Sequence, residues 1–117
     1  MFIDLKHKSL DVYKLARELV KEVYTLTLQL PGEEKFNMVQ QLRRAVLSVK
    51  LNLAEGSTRK SAVERNRYME IARGSVVEID AALETAVGLH YLTIANTQSV
   101  GVLLNRCFAM LSKMIVS

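Results

Sequence analysis

The stretch NMVQQLRRAVLSVKLNLAEGSTRKSAVE, residues 37–64, joins one long apolar segment to a second helical segment through a short polar turn. The apolar residues from Met38 to Glu55 spread around most of a helix circumference. Asn37 and Gln40 have the spacing of a capping box, and Gly56 stands where a left-handed residue commonly ends a helix. The sequence therefore predicts a helix over residues 38–55, followed by a tight turn.

A second capping box follows the turn, because Ser61 is followed three residues later by Glu64. We expect the helix that begins there to continue to about Leu92. Gly74 and Gly88 lie inside it, and each costs about 1 kcal/mol relative to alanine. Glycines kept inside a helix at this cost predict a close backbone approach or a bend.

Two amphipathic segments flank this central region. The first runs from about Leu10 to Gln29, with apolar residues at three- and four-residue steps, and ends before a Pro-Gly pair. Ser9 is its expected N-cap. The last runs from about Thr97 to Ile115, and we expect Asn96 or Thr97 to cap its start.

Four helices with short connections predict an all-α fold, an antiparallel up-down-up-down four-helix bundle. The length of 117 residues fits a single domain over residues 1–117. The second helix is apolar on nearly all sides, and no Lys or Arg occurs from Gly74 to Asn105. Because such helices are buried on more than one side, we expect the bundle to assemble as a homo-oligomer.

Composition places the protein outside membranes and secretory compartments. The charged start of the chain lacks a signal peptide, and no window of about 18 residues is free of charge and turn residues. The single cysteine, Cys107, excludes an internal disulfide and fits a reducing compartment, so we expect a cytoplasmic protein with no membrane partner. Cys107 lies in a helical pattern and is expected to be a small buried hydrophobe.

The sequence contains no recognisable catalytic or cofactor site. The two histidines, His7 and His90, do not follow a glutamate by three residues, as a dimetal bundle requires, and a zinc site lacks ligands. The turn has one glycine and no preceding strand, so a nucleotide-binding loop is excluded. We expect no enzyme activity, no cofactor and no metal, and we expect His90 to be packed or at an interface.

A polar stripe runs along the otherwise apolar second helix and could face a second stripe of small and polar residues on the third helix. A buried network of hydrogen bonds between them would specify the register of the helices. A polar active site is the alternative interpretation. The residues of this predicted structural polar network are Gln41, Ser48, Asn52, Glu55, Arg73 and Glu78.

The net charge of +4 is concentrated in the middle of the chain. From Arg43 to Arg73 there are eight basic and three acidic residues, a net charge of +5, whereas the rest carries −1. Such a patch can attract phosphate, and the alternative is a solvated helical face with ordinary helix punctuation. The candidate nucleic-acid-binding residues are Arg43, Arg44, Lys50, Arg59, Lys60, Arg65 and Arg67.

Three segments resemble the bacterial four-helix bundle proteins encoded in intervening sequences of 23S ribosomal RNA genes. They are LPGEE (30–34), QQLRRAVLSVKLNLAEGSTR (40–59) and YMEIARGSVVEIDAALETAVGLHYL (68–92). The resemblance extends from about Val12 to Leu111. Its most specific parts are the QLRRA block with the following AEG, and the later ARGS; Tyr13 departs from a common tryptophan.

The resemblance implies an antiparallel four-helix bundle that forms a ring-like homopentamer with a central channel. A related bundle, the accessory protein of diversity-generating retroelements, is also pentameric and basic, and associates with nucleic acid and a reverse transcriptase. No catalytic residue follows from the resemblance. We therefore expect a non-catalytic oligomeric scaffold that binds RNA or DNA, structured RNA above all. The alternative is an adaptor that displays helical faces to another protein.

Overall fold

The computed structural model describes residues 2–115, apart from the side chain of Ser9, and these residues contain no β-strand. Four α-helices make up most of the chain: α1 (Asp11–Thr27), α2 (Met38–Gly56), α3 (Ala62–Gly88) and α4 (Ile94–Met114). Short 3-10 helices span Lys6–Ser9 and Gly32–Glu34. The predicted all-α fold is confirmed.

The four helices surround one apolar core. Each helix packs against the next along the chain, and α1 also packs against α4. The core side chains recur at three- and four-residue steps, so each helix buries one face, and each buried side chain contributes about 1.5–3 kcal/mol. Those that are at most 1% exposed include Leu19, Val23, Leu42, Val46, Val49, Ile79, Val100 and Leu111.

Gly56 brings α2 and α3 into close contact. A Cβ atom at this position would lie 2.6 Å from Cβ of Tyr68 and 2.9 Å from Cε of Met69. No described glycine has a positive φ, so the prediction of a left-handed Gly56 was wrong. The residue is instead the last of α2 and is buried. It is glycine because no side chain fits between the two helices.

The start of α2 is not capped as predicted. Asn37 makes no capping hydrogen bond; the Glu34 carboxylate accepts from Nδ2 of Asn37 at 3.0 Å and from the amide of Met38 at 3.4 Å. At the start of α3, the Ser61 hydroxyl accepts from the amide of Glu64 at 3.1 Å, as predicted. The carboxylate that caps α2 therefore comes from the preceding 3-10 helix.

The helix α4 starts earlier than predicted because Thr93 is its N-cap. The Thr93 hydroxyl accepts from the amide of Asn96, and the Asn96 side chain accepts from the amide of Thr93, both at 3.0 Å. Neither Asn96 nor Thr97 is the cap itself. At the start of α1, Leu10 is the N-cap residue, and the side chain of Ser9 lies outside the described residues.

The helix α3 ends earlier than predicted, in a Schellman motif. The amide of Tyr91 donates to the carbonyl of Ala86 at 2.9 Å, and that of His90 donates to Val87 at 3.0 Å. His90 has a φ of 63°, a conformation that costs a non-glycine residue about 1–2 kcal/mol. Its side chain is exposed, so this histidine is not packed within the chain.

Alanine substitutions at Gly56 and Gly74 should have opposite effects on the free energy of unfolding. Gly56→Ala should lower the free energy of unfolding by about 1–3 kcal/mol, because the added methyl group overpacks the α2–α3 contact. Gly74 and Gly88 have nothing within 4 Å of an added Cβ, so the close approach predicted for them does not occur within this chain. Gly74→Ala should raise the free energy by about 1 kcal/mol through helix propensity. Urea unfolding measures both, and equal effects would contradict the close contact.

Candidate nucleic-acid interface

Arg59 occupies the turn between α2 and α3 and is held by two partners. Its Nη2 donates to Oε1 of Glu55 at 3.1 Å and to the hydroxyl of Tyr68 at 2.8 Å. The guanidinium also lies 4.9 Å from the centre of the Tyr68 ring. The Nε atom is buried and has no partner among the described residues, whereas 37% of the side chain remains exposed. Arg59 is thus positioned by α2 and α3 together.

The backbone of the turn is tied down by its own side chains. Nη1 of Arg65 donates to the carbonyl oxygens of Arg59 and Lys60, at 2.9 and 2.7 Å. The hydroxyls of Ser57 and Thr58 donate to two carbonyl oxygens in the last turns of α2, at 2.7 and 2.8 Å. These hydroxyls complete the helix end, so the turn is not built as a phosphate loop around them.

Lys60 in this turn and Arg67 in the second turn of α3 are cations without a carboxylate partner among the described residues. Both are exposed, and neither forms an ion pair within residues 2–115. Arg67 lines a shallow cavity of about 180 Å³ together with Arg59, Glu64 and Tyr68. We call Arg59, Lys60, Arg65 and Arg67 the basic turn.

Two other candidate residues face α1. Nε of Arg43 donates to the hydroxyl of Thr27 at 3.0 Å, and its guanidinium lies 4.5 Å from the centre of the Tyr24 ring. Nζ of Lys50 lies 5.7 Å from the centre of the Tyr13 ring. Cation–π contacts at partly exposed sites contribute about 0.5–1 kcal/mol each. Arg43 and Lys50 therefore support the packing of α1 on α2.

Arg44 lies apart from the other candidates. It is exposed and borders a small polar cavity with Phe36, Asn37, Gln40 and Gln41, at the start of α2. The helix rises about 1.5 Å per residue, which places Arg44 about 18 Å along α2 from Gly56, the end that leads into the basic turn. The seven predicted residues thus lie in three places, and only the basic turn gathers several of them.

A small polar network lies in the seam between α2 and α3. The hydroxyl of Ser75 donates to that of Ser48 at 2.8 Å. Nδ2 of Asn52 donates to the hydroxyl of Ser48 at 3.0 Å and to its carbonyl at 2.8 Å. Ser48 and Asn52 belong to the predicted network, and Ser75 is the partner that the prediction omitted.

The structure does not bring the other four predicted network residues into this seam. Gln41 and Glu78 are exposed, and Glu55 bonds to the basic turn. Nη1 of Arg73 donates to the hydroxyl of Ser112 at 3.2 Å, so Arg73 faces α4. Because successive residues turn by about 100° around a helix, Arg73 cannot share the α2-facing side of α3 with Ser75.

Cys107 is fully buried in the core. Burial raises the pKa of its thiol to about 11, and the nearby Arg106 only partly opposes this. The thiol is therefore protonated at neutral pH, which makes it a poor nucleophile.

In the described part of the chain, no three His, Cys, Asp or Glu side chains are grouped to hold a metal ion. No helix there is both long and apolar enough to cross a membrane.

One pair of helices, α2 and α3, carries the QLRRA block, the residues of the polar seam and the AEG that ends α2. A family model described as 23S rRNA-intervening sequence protein matches residues 8–113. The chain belongs to the 23S rRNA-intervening sequence protein family. The predicted resemblance is thereby confirmed. No curated protein matches the chain.

Two contacts at the candidate interface and in the polar seam of this family member were not predicted from the sequence. Tyr68 holds Arg59 in the turn, and Ser75 completes the polar seam. Ser75 was visible as part of the small-residue stripe on α3. Tyr68 gave no signal, because its role depends on the close packing at Gly56 rather than on any local motif.

The polar seam predicts a measurable stabilisation. Ser48→Ala should lower the free energy of unfolding by about 1–2 kcal/mol, because it removes the shared partner of Asn52 and Ser75. Ser99→Ala, at an exposed position of α4, is the matched control and should change stability by less than about 0.5 kcal/mol. Denaturant unfolding measures both variants. An equally small effect of Ser48→Ala would show that the seam does not stabilise the fold.

Proposed function

We propose that this family member is a non-catalytic, homo-oligomeric scaffold that binds nucleic acid, structured RNA in particular, through the basic turn. The observation that carries the proposal is the pair of exposed cations, Lys60 and Arg67, which have no acidic partner in the described structure. They flank an arginine already fixed by Glu55 and Tyr68. A cytoplasmic location is part of the proposal, since the single cysteine fits a reducing compartment.

The chemistry of the basic turn favours phosphate contacts over base recognition. Lys60 precedes the N-cap Ser61 of α3, and Arg67 lies in the second turn of the helix, so the two cations flank the first turn, where the helix dipole favours anions. Arg59 lies over one face of the half-buried Tyr68 ring, which leaves less of this ring to stack on a base. Binding that depends on phosphates has little sequence preference and weakens as salt rises.

An antiparallel bundle is part of the proposal, and the contacts of α2 with α1 support it. Arg43, near the start of α2, contacts Thr27 at the end of α1. Lys50, further along α2, contacts Tyr13 near the start of α1. Both contacts are those expected of two helices that run in opposite directions, and they support the proposed up-down-up-down arrangement.

The proposal includes assembly into a homo-oligomer, with five copies as the resemblance implies. Exposed apolar side chains on three helices support it: Leu51, Val77 and Val102 are 60, 52 and 59% exposed. Oligomers cover such surfaces with further copies of the chain. A ring would also repeat the basic turn, so weak phosphate contacts would add through multivalency.

A protein-interaction adaptor is the second candidate function. Leu28 and Phe36 are 76 and 77% exposed near the connection between α1 and α2. Apolar side chains of this size at a surface favour contact with another protein. Association with a protein that persists after nuclease treatment, together with no RNA affinity, would favour the adaptor over the scaffold.

The basic turn predicts a specific loss of RNA binding. Lys60→Glu combined with Arg67→Glu should weaken binding by more than about tenfold at physiological salt and lower the salt slope by about 2, since two phosphate contacts are lost. Fluorescence anisotropy of a labelled structured RNA across a salt series measures both quantities. Arg59 is left in place because it holds the turn.

The matched control makes the same change of charge elsewhere. Lys14→Glu combined with Lys113→Glu alters two exposed lysines on α1 and α4, outside the basic turn. This variant should keep most of the affinity and most of the salt slope. Equal losses in the two variants would show that net charge alone drives binding. An unchanged affinity of the first variant would exclude the basic turn.

A further inference from the structure

The seam between α3 and α4 is open at the protein surface. Two adjoining cavities of about 200 and 360 Å³ lie along it, and both are lined by Asp80 and Leu104. The lining is mostly apolar. We call this feature the α3–α4 groove, and the side chains that give it this character are Val77, Val87, Ile94, Leu104 and Phe108, beside Gly101.

The groove leaves large apolar side chains in contact with water. Val77, Ile94 and Phe108 are 52, 72 and 43% exposed. Removal of apolar surface from water is favourable, so a partner that covers this groove would be stabilised by its burial. An open apolar groove between two helices is the kind of site that accepts the apolar face of a third helix.

The charge of the groove narrows the choice of occupant. Asp80 lines both cavities, Glu84 lines the larger one, and neither carboxylate forms an ion pair with another described residue. No Lys or Arg occurs from residue 74 to residue 105. Asp80 and Glu84 lie on the α3 side of the apolar floor, and Arg73 lies 5.9 Å from the centre of the Phe108 ring at one end of the groove. The two carboxylates fit a helix with apolar and basic side chains on one face.

The helix α2 of this same chain presents such a face. Leu47 and Leu51, one helical turn apart, are 37 and 60% exposed. Arg44 lies one turn before them, is exposed, and has no carboxylate partner among the residues described. Residues at these spacings share one side of a helix. We call Arg44, Leu47 and Leu51 the α2 stripe.

We propose that the α2 stripe of one copy docks in the α3–α4 groove of a second copy. The two leucines cover the apolar floor, and Arg44 lies beside Asp80 and Glu84. The proposal rests on the homo-oligomer of the proposed function, but not on RNA binding. Since stripe and groove are different surfaces, the contact is heterologous, and it adds copies until a ring closes. The contact also covers the exposed apolar side of α2 in one copy with the exposed apolar side of α3 in the next.

Two single variants separate the two surfaces. Leu51→Asp places a charge on the α2 stripe, and Gly101→Trp fills the groove. Nothing lies within 4 Å of a Cβ at Gly101, and the change removes a glycine from inside a helix, so the bundle tolerates it. Light scattering at micromolar concentration should show that each variant alone falls from the wild-type oligomer to the 13.2 kDa monomer.

Mixing the two variants provides the decisive measurement. The intact stripe of Gly101→Trp can dock in the intact groove of Leu51→Asp, but neither copy can add a third. An equimolar mixture should therefore form a 1:1 dimer and stop there. Leu28→Asp and Ser99→Trp, at exposed positions outside both surfaces, are the matched controls and should keep the wild-type mass.

The results separate this interface from the proposed function. If Leu51→Asp and Gly101→Trp keep the wild-type mass, or if their mixture stays monomeric, the docking is overturned while an oligomeric scaffold stands. A monomeric wild-type chain overturns both the docking and the homo-oligomer. RNA plays no part in the measurement, so a failure of RNA binding leaves its outcome unchanged.

Discussion

The close contact between α2 and α3 determines both the packing of these two helices and the position of the basic turn. Gly56 leaves no space for a Cβ atom against Tyr68, and the bond between Ser48 and Ser75 fixes the register of the same two helices. Tyr68 then accepts a hydrogen bond from Arg59. The packing that joins the helices therefore also positions the basic turn, and fold and candidate interface share one set of contacts.

The fold followed from periodicity, because apolar residues at helical steps and short connections leave few arrangements for four helices. The helix ends were harder to predict. The start of α2 is capped by Glu34, which reaches it from the preceding 3-10 helix. The sequence correctly marked Gly56 as the end of α2, but it did not reveal why a glycine is required there. A left-handed turn and a close interhelical contact both require glycine, and only the packing distinguishes them.

The sequence predicted which segment of the chain is positively charged, but it did not predict which of its basic side chains would be exposed together. Composition located the positive charge, whereas the side of α2 that meets α1 decided that Arg43 and Lys50 pack on aromatic rings. On α3, the position of Arg73 around the helix directs its side chain to α4 rather than into the polar seam. Fewer of the candidate cations are therefore exposed without a partner in the described structure. Among them are Lys60, in the turn that Arg65 ties down, and Arg67, in the second turn of α3.

We propose that an assembly of several copies binds structured RNA through phosphate contacts. Sedimentation velocity of the wild-type chain with a labelled structured RNA, at low and at high salt, measures the mass of the protein and the binding of the RNA in one experiment. We expect a protein species several times heavier than 13.2 kDa, with RNA that co-sediments at low salt and is released at high salt. A 13.2 kDa monomer that leaves the RNA unbound at low salt would contradict it.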